Sequence, residues 1–133
     1  MDFDGSHRVA ASAGAVWDVV PDANRVAQWL PAVAVARDVH DGTAVELEGD
    51  SHGHPYGLTT SWDANRRECT LEWGNSDGYR GSLHVSDEPS VSSEVRVNVR
   101  VPQEKVASFP GAEAEIRRGM KEALDRLPAL VAQ

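Results

Sequence analysis

Acid–base and metal chemistry needs histidine, cysteine, tyrosine or paired carboxylates at spacings that converge, and this chain has few such arrangements. Its metal-like cluster is Asp50, His52 and His54. In extended chain the two imidazoles point the same way and could share one ion. A third ligand is not identifiable, since His40, Cys69 and His84 have no fixed relation to the cluster, and Gly53 and Pro55 make a solvated turn the better reading. No metal and no cofactor is therefore expected. His7 falls on the inward side of its strand, but a lone histidine supports general catalysis only when a substrate proton lies within reach. If the chain is an enzyme, His7, Tyr56 and Tyr79 are the groups to handle protons or orient a carbonyl. Arg37 also falls inward by alternation. A buried charge is costly unless paired, so both His7 and Arg37 read best as positions at the edge of a sheet. Cys69 lacks a companion base, and no glycine-rich phosphate loop, serine nucleophile elbow or paired-carboxylate motif is present. Glu46 and Glu48 share an outward face, as do Glu68 and Glu72, and both pairs read as solvated.

The element that must position everything else is a long helix over Pro110 to Val131. Ile116, Met120, Ala123, Leu124, Leu127, Leu130 and Val131 recur at helical spacing, and the opposite side is charged. Ser108 is placed to cap it, Pro110 falls in the first turn, and Glu113 and Glu115 complement the positive end. Glu113 with Arg117 and Glu122 with Arg126 are four apart on the outer face. Pro128 removes the bond to Leu124, which predicts a kink or an end near Leu127.

Ahead of that helix the chain alternates. Phe3, Val9 and Ala11 lean inward on a first strand. Ser12 caps a short helix carrying Val16, Val19 and Val20 that Pro21 stops, and Asp22 caps a second with Val26, Trp29 and Leu30. Val33, Val35 and Val39 then alternate with Ala34, Ala36 and Asp38 up to Asp41-Gly42, a step that favours a tight hairpin. Four further alternating runs follow Val45 and Leu47. The first has Tyr56, Leu58, Thr60 and Trp62 on one face, and the second has Cys69, Leu71 and Trp73. The third has Tyr79, Leu83 and Val85, and the last has Val91, Val95, Val97, Val99 and Val101. The order is strand, two short helices, six strands, long helix. This predicts an α+β fold in which a curved seven-stranded antiparallel sheet wraps around the terminal helix. One helix covers only part of so broad an apolar face, so a gap between them is expected. The inward positions facing that gap are Leu58, Thr60, Trp62, Leu71, Trp73, Tyr79, Leu83, Val97, Met120 and Leu124. Taken singly each is ordinary core, but Trp62, Trp73 and Tyr79 could also offer flat faces and polar tips to a ligand.

With 133 residues and 41% hydrophobic content the chain reads as one domain over 1–133, able to bury a core without staples. Its net charge of −8 argues against a nucleic-acid partner. The single cysteine excludes an internal disulfide and suits a reducing compartment. Neither a signal peptide nor a membrane span is evident, which reads as soluble and cytoplasmic. Nothing in the residues sets an oligomeric state.

The element order, together with Val9-Ala10-Ala11-Ser12-Ala13-Gly14-Ala15-Val16-Trp17-Asp18-Val19-Val20 and then Trp29-Leu30-Pro31, resembles the SRPBCC superfamily of START-like, birch-pollen-allergen-like helix-grip proteins. Its polyketide cyclase/dehydrase and lipid transport branch is the most similar. The resemblance spans essentially the whole chain. It departs in having the tight Asp41-Gly42 turn where plant members carry a glycine-rich loop. It implies a cavity between sheet and helix that binds a lipid, polyketide or aromatic metabolite. A cyclase or dehydratase acting in the same cavity without metal is the enzymatic alternative, and an interaction module with a closed core is a second alternative.

Overall fold

Alternation and helical periodicity become the expected elements in the computed structural model, which describes residues 1–30, 33–51, 54–89, 91–108 and 110–132, the side chains of Ser51 and His54 excepted. The strands are β1 (Asp2–Val9), β2 (Val33–Asp38), β3 (Ala44–Ser51), β4 (His54–Asn65), β5 (Thr70–Gly74), β6 (Arg80–Glu88) and β7 (Ser92–Arg100). Among the described residues they form one seven-stranded antiparallel sheet in the order β1-β7-β6-β5-β4-β3-β2. A meander thus runs from β2 to β7, and β1 returns to lie beside β7. Asp41 and Gly42 both have positive φ, 47° and 81°, and the Thr43 N–H donates to the His40 carbonyl at 2.8 Å. That is the geometry of the tight hairpin turn whose twist matches the strands it joins.

Two short helices, α1 (Ala13–Trp17) and α2 (Val26–Trp29), bridge β1 to β2. Ser12 Oγ accepts from the Ala15 N–H at 3.2 Å, and Asp87 on β6 accepts from the Ala13 N–H at 2.9 Å, so the sheet itself holds the start of α1. Asp22 accepts from the Asn24 N–H and starts the turn leading into α2. Val16, Val20 and Val26 are fully buried beneath these helices.

The C-terminal region differs from expectation in two respects. A further short helix, α3 (Gln103–Val106), precedes the long one, and Ser108 Oγ donates to the Lys105 carbonyl at 2.6 Å, closing α3 instead of capping its successor. The long helix α4 then spans Ala112–Val131, beginning after Gly111 at φ 83°. Pro128 neither ends nor shortens it. The ring removes one bond near the end of the helix, while Leu127 at 0% and Leu130 at 8% exposure hold the last turn in the core.

The inward phase also breaks at two places. A register shift between Val33 and Val35 flips the rest of β2, leaving Val35 and Val39 exposed and setting Ala36 against the core. Arg37 consequently faces outward, where it pairs with Glu46 at 3.1 Å and Glu48 at 2.8 Å; the expectation of an inward Arg37 is corrected, though β2 is an edge strand as anticipated. Val91 is the second break: it is 78% exposed in the β6–β7 turn with φ 52°, and Ser93 occupies the first buried position of β7. A β-branched residue in the left-handed region is strained by roughly 1–2 kcal/mol. Val91→Gly should therefore raise unfolding stability by about 1 kcal/mol, read from the urea midpoint at unchanged slope.

Carboxylates add a pH dependence. The Arg100 guanidinium beside Asp2, the His40 and Gly42 N–H groups on Asp38, and the Lys121 ammonium beside Asp125 each hold a carboxyl below its ordinary 3.8. A pKa depressed on folding contributes stability above the unfolded value and loses it as pH falls through the folded one. Urea stability should therefore be level from neutral down to pH ~5 and decline below pH ~4, modestly, because all three groups are exposed.

Candidate functional site

Where α4 crosses the sheet, its distance from each strand is set by what side chains lie between. Over β1 the helix sits close: a Cβ at Gly5 would lie 2.8 Å from the Met120 sulfur and 3.1 Å from a Leu124 methyl. Over the middle of the sheet, helix and strands leave a space between them. The space left there, bounded by α2, α4, β5, β6 and β7, is a cavity of about 230 Å³. Trp29 and Leu30 form one wall, Trp73, Leu83, Val97 and Val99 the floor, and Ile116, Gly119, Met120, Ala123 and Leu124 the roof. None of these residues is charged, and the lining is almost wholly apolar.

Trp73 is held in that floor by the absence of a neighbour. It pairs with Gly81 on β6, and a Cβ there would overlap ring atoms Cε2, Cζ2 and Nε1 of the indole. On its other side Trp62 packs at a ring-centroid distance of 6.3 Å and a 32° tilt. Trp62 itself is structural: its indole N–H donates to the Pro21 carbonyl at 3.0 Å, tying β4 to the segment after α1.

Of the residues expected to face a ligand, the fold brings together Trp73, Leu83, Val97, Met120 and Leu124. Leu71 is fully buried in the core beside them, and Thr60 is buried with its hydroxyl on the Gly74 carbonyl at 3.0 Å. Leu58 and Tyr79 are each 36% exposed and do not line the cavity. His7 faces α4 from the edge strand, 3.7 Å from the Asp125 carboxylate, in an open groove with Arg117 and Lys121. Tyr56 also lies outside the lining, and burial pushes its phenol above its ordinary value. His52 and the His54 side chain lie outside the described residues, and among those described no group of three histidine, cysteine or acidic residues could hold a metal. No described helix is long and apolar enough to cross a membrane.

Six wall residues were not anticipated: Trp29, Leu30, Val99, Ile116, Gly119 and Ala123. Val99 continues the alternation of Val97, and Ile116 and Ala123 belong to the helical stripe, so those three carried a signal. Trp29 and Leu30 carried none beyond their own apolarity, because only the packing of α2 against α4 turns them toward the gap.

No family model matches the sequence, nor does any curated protein. Solved structures do match in shape. The Zhui aromatase/cyclase from Streptomyces sp. R1128 superposes with a TM-score of 0.80 at 16% identity over 99% of this chain and 93% of that one. A START superfamily protein from Mycobacterium smegmatis gives 0.70 at 18% identity, covering 97% and 98%. TTHA0849 from Thermus thermophilus gives 0.81 at 12% identity, covering 99% and 97%. The shape they share with this chain is the helix-grip fold expected from the order of its elements. At such identities the likeness is one of fold, and the site must be argued from this chain's own residues. In this helix-grip chain the grip is tight over Gly5 and open over Trp73, Leu83 and Val97.

Proposed function

We propose that the protein binds an uncharged hydrophobic small molecule, of the lipid, polyketide or aromatic-metabolite kind, between α4 and the sheet. The observation that carries this reading is the cavity of about 230 Å³ with no charged residue in its lining. Close packing leaves few voids larger than water in a protein interior, and an aliphatic cavity of roughly 150 Å³ stays dry and takes up benzene. This one has room for a fused bicyclic skeleton. Apolar burial supplies the affinity, at about 25 cal/mol per Å² before the costs of association.

The Streptomyces neighbour is an aromatase/cyclase, and a reaction of that type would need a proton-handling group at the substrate. His7, Tyr56 and Tyr79 are the residues best suited by type, and none lines the cavity. Binding without chemistry is therefore the reading the geometry favours.

Trp29 and Trp73 in the wall provide the test. Titration with naphthalene or decanol should change intrinsic tryptophan emission saturably and raise Tm, while benzoate at neutral pH should do neither. Flat titrations with every apolar probe, and no shift in Tm, would remove the proposal.

A further inference from the structure

Hydrogen bonding along β1 alternates, and half of it points away from the sheet. The Met1 amino group donates to the Val101 carbonyl at 2.8 Å, and the Val101 N–H donates back to the Met1 carbonyl at 3.0 Å. In an antiparallel pair such exchanges occur at every second position. Along the unbroken register with β7 they recur at Phe3, Gly5 and His7. The N–H and C=O groups of Asp4, Ser6 and Arg8 therefore face the free edge, and nothing among the described residues bonds to that side of β1. Exposed edges are commonly blunted by bulges or by charges held over them. The opposite edge, β2, carries its irregularity between Val33 and Val35. β1 carries none, and its acidic side chains turn back over β7, Asp2 to Arg100 at 2.9 Å and Asp4 to Asn98 at 2.6 Å.

The helix α4 runs along this edge. The Arg117 guanidinium lies 5.1 Å over the Phe3 ring, Met120 and Leu124 sit over Gly5, and Asp125 stands 3.7 Å from His7. Between helix and edge is a groove of about 440 Å³, bounded by Asp4 to His7 on one side and the flank of α4 on the other. We propose that this groove receives an extended segment of a partner protein, added antiparallel to β1 as an eighth strand of the sheet. Alternate side chains of the segment face α4, opposite His7, Gly5 and Phe3 in that order. They meet the Asp125 carboxylate, the Met120 and Leu124 side chains, and the Arg117 guanidinium, so the complementary order is basic, apolar, acidic at every second residue. Arg117 and Asp125 are paired with Glu113 and Lys121, yet both are about half exposed, and a guanidinium or carboxylate has sites for more than one partner. A second copy of the chain does not fit. Joining two β1 strands about a twofold axis sets their α4 helices roughly 5 Å apart, the spacing of paired strands, whereas packed helices come no closer than about 8 Å. A lone strand brings no helix to collide.

Two peptides of one composition test this, acetyl-TKTLTET-amide and its charge-reversed counterpart acetyl-TETLTKT-amide. In ¹H–¹⁵N spectra the first should shift the Asp4, Ser6 and Arg8 amides saturably, and more than those of Gly5 and His7, because only the former face the added strand. It should bind about fivefold more tightly than the reversed peptide, the difference expected for two exposed ion pairs. Ser6→Pro removes one edge donor and leaves the β7 ladder intact, a position where proline is tolerated, and should weaken the first peptide about tenfold. Arg117→Glu, at an exposed position, keeps the test decisive where Ser6→Pro fails to fold, and should abolish the preference between the peptides. Equal affinity of the wild type for both peptides, or shifts confined to α4, overturns the added strand. Preference for the reversed peptide overturns its direction. Edge amides that move with protein concentration alone make a second copy the occupant and overturn the partner. No saturable shift with either peptide removes the docking site altogether.

Discussion

Gly81→Ala should destabilise the protein by about 2–3 kcal/mol and abolish uptake of apolar probes. A methyl group at position 81 would overlap the Trp73 indole, and overpacking a close-packed interior costs roughly 1–3 kcal/mol. The ring is the movable partner, because Gly81 is fixed in the β5–β6 ladder opposite Trp73. The direction open to it is the cavity it already lines, so the substitution acts on stability and on binding through one displacement. Two readouts check this: the urea midpoint, and the saturable emission change with naphthalene. Pairing Gly81→Ala with Trp73→Leu removes the overlap and should recover most of the lost stability, a coupling that a double-mutant cycle isolates. If Gly81→Ala alone binds naphthalene as the wild type does, Trp73 is not held in the floor by that glycine.

Leu83→Ala should cost about 2–4 kcal/mol and shift ligand preference toward larger molecules. Leu83 is 2% exposed and is both a core residue on β6 and part of the cavity floor. Removing its isobutyl group loses the transfer free energy of the side chain and leaves a void that rigid β-sheet neighbours do not fill. Here that void joins an existing cavity. Anthracene, oversized for the wild type, should then bind, and saturation near 100 times its dissociation constant should return about 2.7 kcal/mol of apparent stability. Isothermal denaturation with and without anthracene measures both effects. A variant equally destabilised but still preferring naphthalene would place Leu83 in the core only.

Much of this architecture was legible residue by residue. The alternation of Val95, Val97 and Val99, the stripe from Ile116 to Leu130 and the Asp41-Gly42 step each depend on neighbours a few positions away, and each appears where its period placed it. The departures have different origins. Ser108 closes α3 because a hydroxyl satisfies whichever backbone group is nearest, and the same sequence signal serves both ends of a helix. Val35 and Arg37 both turn outward because one irregularity in pairing inverts every later side chain in the strand. A period of two cannot report such a slip in advance.

The site divides in the same way. Trp73, Leu83, Val97, Met120 and Leu124 were identifiable because facing the sheet interior is a local property of strand and helix phase. Which of them would be packed solid and which would border empty space was not. Trp62 and Trp29 are alike in type, yet one indole N–H meets the Pro21 carbonyl and the other meets nothing among the described residues, and the two are distinguished only by the placement of α2 against α4. The sequence by itself determined the elements, their order and their apolar faces, since these follow from short-range periodicity. The height of α4 above each strand, and with it the existence and wall of the cavity, was decided only in the tertiary structure, because it depends on pairs such as Gly5 with Met120 and Gly81 with Trp73 whose contact no local pattern encodes.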